Sequence, residues 1–206
     1  MDKLIPETLF APELSSERLT YTVFNESDES EESDATFTAH VFNANFHKDP
    51  TKAPTTVADI FTLCKTLRLA PSDTHGKLSK DPAIYVVHLG QAPGKRIGVV
   101  NLCRRSSQFA PDFGFMLLPE YQRRGYGTEA ATRMMRYWRD EFGIKEICSY
   151  TTAENIASRK LLTRIGLQEH GWVFLSGGHR IFFSLPGMPG GSGEEISFSG
   201  EPPASA

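Results

Sequence analysis

Met116-Leu117-Leu118-Pro119-Glu120-Tyr121-Gln122-Arg123-Arg124-Gly125-Tyr126-Gly127 reads as the end of a strand, a short loop with two glycines and a basic pair, and the start of a helix. From Thr128 to Phe142 the apolar residues Ala130, Ala131, Met134, Met135, Trp138 and Phe142 recur at three- and four-residue intervals, which is helical spacing, and Gly143 is placed to stop the helix. Glycines let the backbone turn so that successive N–H groups point into one cavity. The free N–H groups and dipole of the helix that follows add partial positive charge there. The stretch is therefore a candidate cradle for a diphosphate. Gly125-Tyr126-Gly127-Thr128-Glu129-Ala130 also fits the G-x-G-x-x-A variant of the dinucleotide fingerprint. That fingerprint needs its glycines directly after the first strand of a parallel array, whereas Pro119 to Arg124 intervene here and the upstream strands look antiparallel. A plain glycine turn joining strand to helix is the structural alternative.

Outward from this segment, Arg18–Phe24, Ala83–Leu89, Arg96–Cys103 and Asp112–Leu118 read as strands, with Gln91 to Gly94 as a hairpin loop. Residues 35–70 carry two helical patterns, the second marked by Ile60, Phe61, Leu63, Cys64 and Leu67. Downstream, Ile144–Thr151 reads as a strand. A helix follows with Ala157, Leu161, Leu162 and Ile165 on one face, and Leu167–Leu175 and His179–Leu185 close the domain. The order β-α-α-β-β-β-α-β-α-β-β predicts an α/β (α+β) fold: one mixed, mostly antiparallel sheet of six to seven strands with about four helices packed on it. The expected organisation is an N-terminal extension over 1–16, a domain over 17–185, and a flexible tail over 186–206. That tail holds five Gly, four Pro and four Ser.

Gln122-Arg123-Arg124-Gly125-Tyr126-Gly127 resembles the Q/R-x-x-G-x-G/A signature of the GNAT superfamily of acyl-CoA-dependent N-acyltransferases. Thr152-Ala153-Glu154-Asn155-Ile156-Ala157-Ser158, running on to Gly166-Leu167, resembles its second motif. Ser16-Glu17-Arg18-Leu19 and Asp112-Phe113-Gly114-Phe115 resemble the branch that acetylates ribosomal-protein N-termini. The resemblance implies a splayed central strand pair in which Phe115, Met116, Leu117 and Leu118 offer backbone groups to pantetheine. It implies that Gln122 and the amides of Arg123, Arg124, Gly125, Tyr126, Gly127 and Thr128 hold the diphosphate of acetyl-CoA, the co-substrate. Asn155 would contact the pantetheine or the amine region, and Arg159 or Lys160 the nucleotide phosphates. Ordinary solvated charge is the alternative for those two cations, and a helix-start role is the alternative for Asn155.

The reaction implied is acetyl transfer to a primary amine: a protein N-terminus, a lysine or a small molecule. An amine of pKa near 10.4 is only about 0.1% neutral at physiological pH, so a group must take its proton. Asp112 matches the position where the branch often carries Glu, and period-2 alternation puts it on one strand face with Gly114 and Met116. Glu120, His170 and His179 are reserves. Many relatives protonate the leaving thiolate with a Tyr where this chain has Leu162. Ser158 is nominated instead, with packing as its alternative role. The backbone N–H at Met116 is the expected donor to the developing oxyanion. The other function classes are a non-catalytic acyl-CoA-binding module, favoured by Leu162 and the shortened acid, and a nucleotide-dependent oxidoreductase.

Composition sets the outer bounds. A length of 206 residues suits one domain. Residues 1–34 hold ten acids against Lys3 and Arg18, and the rest hold twenty bases against fifteen acids, so the net charge of −3 is divided into −8 and +5. The +5 body lacks the basic stripe of a nucleic-acid binder, and the acidic run from Asp28 to Asp34 reads as a solvated loop. Three scattered cysteines suggest neither disulfides nor a metal site. No apolar run approaches the about 18 residues that span a bilayer, and no signal-like start is seen, which predicts a soluble protein of the cytoplasm or nucleus, monomeric or homodimeric.

Overall fold

The computed structural model describes residues 9–46, 51, 53–66, 68–105, 109–175 and 178–188. Leu67, most of the expected tail and the first eight residues of the expected extension lie outside them. In chain order the elements are β1 (Glu13–Ser15), β2 (Leu19–Val23), α1 (Asp34–Phe46), α2 (Val57–Thr66), β3 (Ile84–Leu89), β4 (Lys95–Cys103), β5 (Asp112–Leu117), α3 (Tyr126–Arg136), β6 (Cys148–Thr151), α4 (Ile156–Arg164), β7 (Gln168–Leu175) and β8 (Gly178–Ser184). The strands form one sheet in the order β1-β2-β3-β4-β5-β6-β8-β7, and every pairing is antiparallel except β5 with β6.

The eighth strand is a correction to the expected six to seven. β1 is three residues long, too short for alternation to announce it, and exists by pairing Leu14 with Tyr21 of β2. The strand expected from Ile144 begins only at Cys148. Ile144 and Ile147 are buried apolar residues in the connection before it, where the Ile147 carbonyl accepts the Leu185 N–H at 3.1 Å.

Each face of the sheet carries its own helices. On one face lie α3 and α4, where Phe113 and Leu117 pack with Ala130, Ala131, Met134, Trp138 and Leu162. Alternation sends Met116 and Val99 to the other face, where they meet Phe37 and Val41 of α1. After α3 the helix widens into a π-turn over Tyr137–Glu141, with the Phe142 N–H bonding the Tyr137 carbonyl at 2.8 Å. The slip turns both Tyr137 and Trp138 inward, and Trp138 meets Phe10, Tyr85 and Phe142 at ring separations of 5.4, 5.9 and 5.9 Å. The end of α3 is thereby fixed against the sheet, which leaves its start to be positioned by the glycine loop.

Candidate active site

β5 and β6 pair only where Asp112 stands opposite Cys148, and beyond that point the ladder between them ends. A wedge opens in the middle of the sheet. Which backbone groups face it follows from antiparallel alternation. The Leu118 N–H donates to the Ile97 carbonyl at 2.9 Å, so Met116, Gly114 and Asp112 exchange their bonds with β4, and Phe113, Phe115 and Leu117 turn theirs toward β6. The Phe113 carbonyl accepts from Ser149 Oγ at 2.8 Å. That of Leu117 accepts from Asn45 Nδ2 at 3.1 Å and Gln122 Nε2 at 3.0 Å. The peptide groups of Phe115 and the N–H of Leu117 therefore face the wedge. This corrects the expectation for Met116 and Leu118, whose amides belong to the β4 side, and gives Gln122 the task of closing the end of β5.

After Leu118, Pro119–Tyr121 makes one 3₁₀ turn. Arg123 and Gly125 then take the left-handed conformation at φ 60° and 83° before α3 begins. No side chain caps that helix. The first intrahelical bond is Glu129 N–H to the Gly125 carbonyl at 3.0 Å, so the N–H groups of Tyr126, Gly127 and Thr128 have no partner within the helix. These amides, beside a wedge that offers further backbone donors, fit the diphosphate and arm of acetyl-CoA.

The bend that leads into β2, Ser16 to Arg18, reaches this turn, a contact that sequence reasoning missed. Glu129 accepts from Ser16 Oγ at 2.7 Å, the Arg18 N–H at 2.8 Å and Arg18 Nε at 2.8 Å. The Arg18 guanidinium lies 4.6 Å from the Tyr126 ring centre, and its Nη1 donates to the Arg124 carbonyl at 3.3 Å. Burial pushes the Glu129 carboxyl up, but the Ser16 and Arg18 bonds outweigh it and hold the group below its ordinary value of 4.5. A lowered carboxyl contributes stability above the unfolded value and loses it as pH falls through the folded one. Glu129→Gln should therefore be less stable than the parent at neutral pH, with the difference closing below 4.5; melting curves across that range check it.

On α4, Asn155 is the cap: its Oδ1 accepts the Ser158 N–H at 3.1 Å. Ser158 is half-buried in the first turn. Arg159 is turned to β7, where it pairs with Glu169 at 2.9 Å, and Lys160 is exposed. The basic side chain that α4 does bring to the cradle is Arg164, whose Nη1 lies 3.4 Å from Thr128 Oγ1. Its place on the face toward α3 was the available signal. Leu162 is fully buried.

On the α1 face, at the apex of the wedge, Asp112 is buried at 3% exposure and accepts from Arg105 Nε at 2.6 Å. Burial raises its carboxyl and Arg105 opposes the rise, with the net direction upward. Cys103 and Cys148 flank it in register on the neighbouring strands, and burial pushes the Cys103 thiol up to about 12. Tyr150 shares this face. Its ring lies 5.7 Å from the Arg105 guanidinium carbon, and its buried hydroxyl has no hydrogen-bond partner among the described residues. Sequence reasoning missed Arg105 and Tyr150. Of the reserves, His170 bonds Ser184 Oγ at 2.8 Å and packs on Phe182, the ring stacked on Tyr150, whereas His179 packs on Phe174 and Glu120 is exposed. Among the described residues no His, Cys, Asp and Glu cluster could hold a metal, and no helix is long and apolar enough to cross a membrane.

A mixed sheet parted between two central strands, with an uncapped glycine turn at the opening, is the arrangement that the sequence resemblance implies. Residues 18–168 match the family described as the acetyltransferase (GNAT) domain, and the chain belongs to that family. It is 28% identical over 76 residues to the uncharacterized N-acetyltransferase YnaD of Bacillus subtilis (strain 168), covering 37% of this chain and 45% of that protein. It is 36% identical over 56 residues to FsC-acetyl coenzyme A-N(2)-transacetylase of Aspergillus fumigatus, covering 27% of this chain and 24% of that one. The chain thus spans less than half the length of these curated relatives. The crystal structure of the acetyltransferase from Agrobacterium tumefaciens str. C58 shares the fold at TM-score 0.62 and 20% identity, over 86% of this chain and 97% of that one.

Proposed function

We propose that this chain transfers an acetyl group from acetyl-CoA to a primary amine by direct attack while both are bound. The observation that carries the reading is the uncapped turn at Gly125 to Thr128 standing at the mouth of the wedge between β5 and β6. Acetyl-CoA supplies an activated thioester. The amides of Tyr126, Gly127 and Thr128 grip the diphosphate, with Arg164 nearby, and the Phe115 peptide groups and Leu117 N–H orient the arm.

The acceptor enters from the α1 face, where Asp112, Arg105 and Tyr150 stand together. Asp112 takes the amine proton through the Tyr150 hydroxyl or a water, since the carboxylate is itself buried. The amine nitrogen bonds to the acyl carbon, the carbon–sulfur bond breaks, and the sulfur leaves with CoA as a thiolate that the Ser158 hydroxyl hydrogen-bonds while relaying it a proton from solvent. The oxyanion donor in this scheme is a wedge-facing amide of Phe115 or Leu117, a role worth roughly 10²- to 10³-fold in rate.

The test is incubation with acetyl-CoA and a panel of peptides, polyamines and aminoglycosides, reading free thiol. Release that depends on an amine is the expected result. The second reading, an acyl-CoA-binding module without turnover, is favoured by the fully buried Leu162 and by the Asp112–Arg105 pair. CoA binding without thiol release for any acceptor would establish it.

A further inference from the structure

We propose that Arg18, in the bend just before β2, is a positioning residue for the diphosphate grip, acting through the Arg124–Gly125 peptide. The inference rests on the reading that this chain binds acetyl-CoA, and it assigns a role to a residue outside both motifs.

The argument begins with peptide geometry. In a trans peptide the carbonyl and the following N–H point in opposite directions. Arg18 Nη1 holds the Arg124 carbonyl on its own side of the turn, so the Gly125 N–H is aimed away from Arg18. The next peptide is fixed as well, because the Gly125 carbonyl accepts the Glu129 N–H at 3.0 Å and the Tyr126 N–H points off the start of α3. Two successive amides thus owe their direction to bonds that converge on Arg18 and Glu129.

Arg18 is in turn held by three contacts. Its Nε and its own backbone N–H bind the two oxygens of Glu129, and its guanidinium plane lies over Tyr126. Behind Glu129, Ser16 Oγ reaches both the carboxylate at 2.7 Å and the Tyr21 hydroxyl at 2.9 Å, which ties the assembly to the buried face of β2. Glycine at 125 leaves room for this arrangement: a Cβ there would lie 3.2 Å from Arg18 Nη2. The forked guanidinium makes these bonds from one rigid plane, which a lysine ammonium cannot reproduce.

Arg18→Ala and Arg18→Lys, each checked for an intact melting transition, test the role with two acyl donors. One is acetyl-CoA; the other is S-acetylpantetheine, which keeps the thioester and lacks the diphosphate. The expected result is a KM for acetyl-CoA raised about 10- to 100-fold in the alanine variant, the size of one or two charge-assisted hydrogen bonds. Turnover at saturation should stay within about threefold, kcat/KM for S-acetylpantetheine should be unchanged, and lysine should restore less than half of the loss on a logarithmic scale. An acetyl-CoA KM within threefold of the parent, or an equal loss with both donors, overturns the proposal. Failure of the parent protein to bind acetyl-CoA would instead overturn the functional reading on which it rests.

Discussion

Replacing Gly125 with glutamate should abolish CoA binding, with an affinity loss of at least about 100-fold, or roughly 2.7 kcal/mol. Three effects act together. Gly125 sits at φ +83°, where an L side chain costs about 1–2 kcal/mol. The new Cβ would lie 3.2 Å from Arg18 Nη2, so the guanidinium must give by a few tenths of an ångström. The added carboxylate would then settle over the free amides at the start of α3, occupying the place meant for a phosphate and repelling one. Gly125→Ala separates strain from charge: it carries the first two effects without the third, and should weaken binding only several-fold. Isothermal titration with CoA reads both variants. Near-equal losses would mean that backbone strain explains the effect, and retention of affinity by Gly125→Glu would remove the cradle from the mechanism.

The glycine turn was legible because its physics is local. Two glycines between an apolar strand and an amphipathic helix let the backbone turn ahead of free helix N–H groups, and in the structure Gly125 takes the left-handed conformation before a helix start with no side-chain cap. The α3 face was equally readable from spacing, with Ala130, Ala131, Met134, Met135 and Trp138 all buried. What the sequence could not announce depends on register. Whether the Met116 or the Phe115 amide faces the wedge is decided by the phase of pairing between β4 and β5, which a single bond at Leu118 reveals and no composition encodes. The same holds for contacts across large sequence separations. Arg18 meets Glu129 across 111 positions, and nothing in the local pattern of either residue selects the other. The short strand β1 escaped for another reason, since three residues carry no period.

Asp112→Asn should lower turnover by roughly 10²- to 10⁴-fold, the usual contribution of a general base, and leave CoA affinity nearly unchanged, because Asp112 sits at the apex of the wedge, at the opposite end of β5 from the glycine turn. The loss should depend on pH. Burial raises the Asp112 carboxyl, so the parent enzyme loses activity as pH falls through that raised value, where the group is already protonated and cannot accept. Above it the parent gains from the base. Toward the amine's own pKa the acceptor loses its proton unaided, so the gap to the variant should narrow there. The substitution has a structural cost as well. Arg105 keeps its charge without a carboxylate partner, and its side chain is 38% exposed against 4% for Asp112, so solvent relieves only part of the penalty; a loss of about 1–3 kcal/mol follows. The double variant Asp112→Asn with Arg105→Gln distinguishes the two effects. Removing the stranded cation should recover most of the stability in urea melts, while turnover stays low if the carboxylate is the proton acceptor. Recovery of both would assign Asp112 and Arg105 to the fold alone, and turnover within threefold of the parent in the single variant would send the proton by another route.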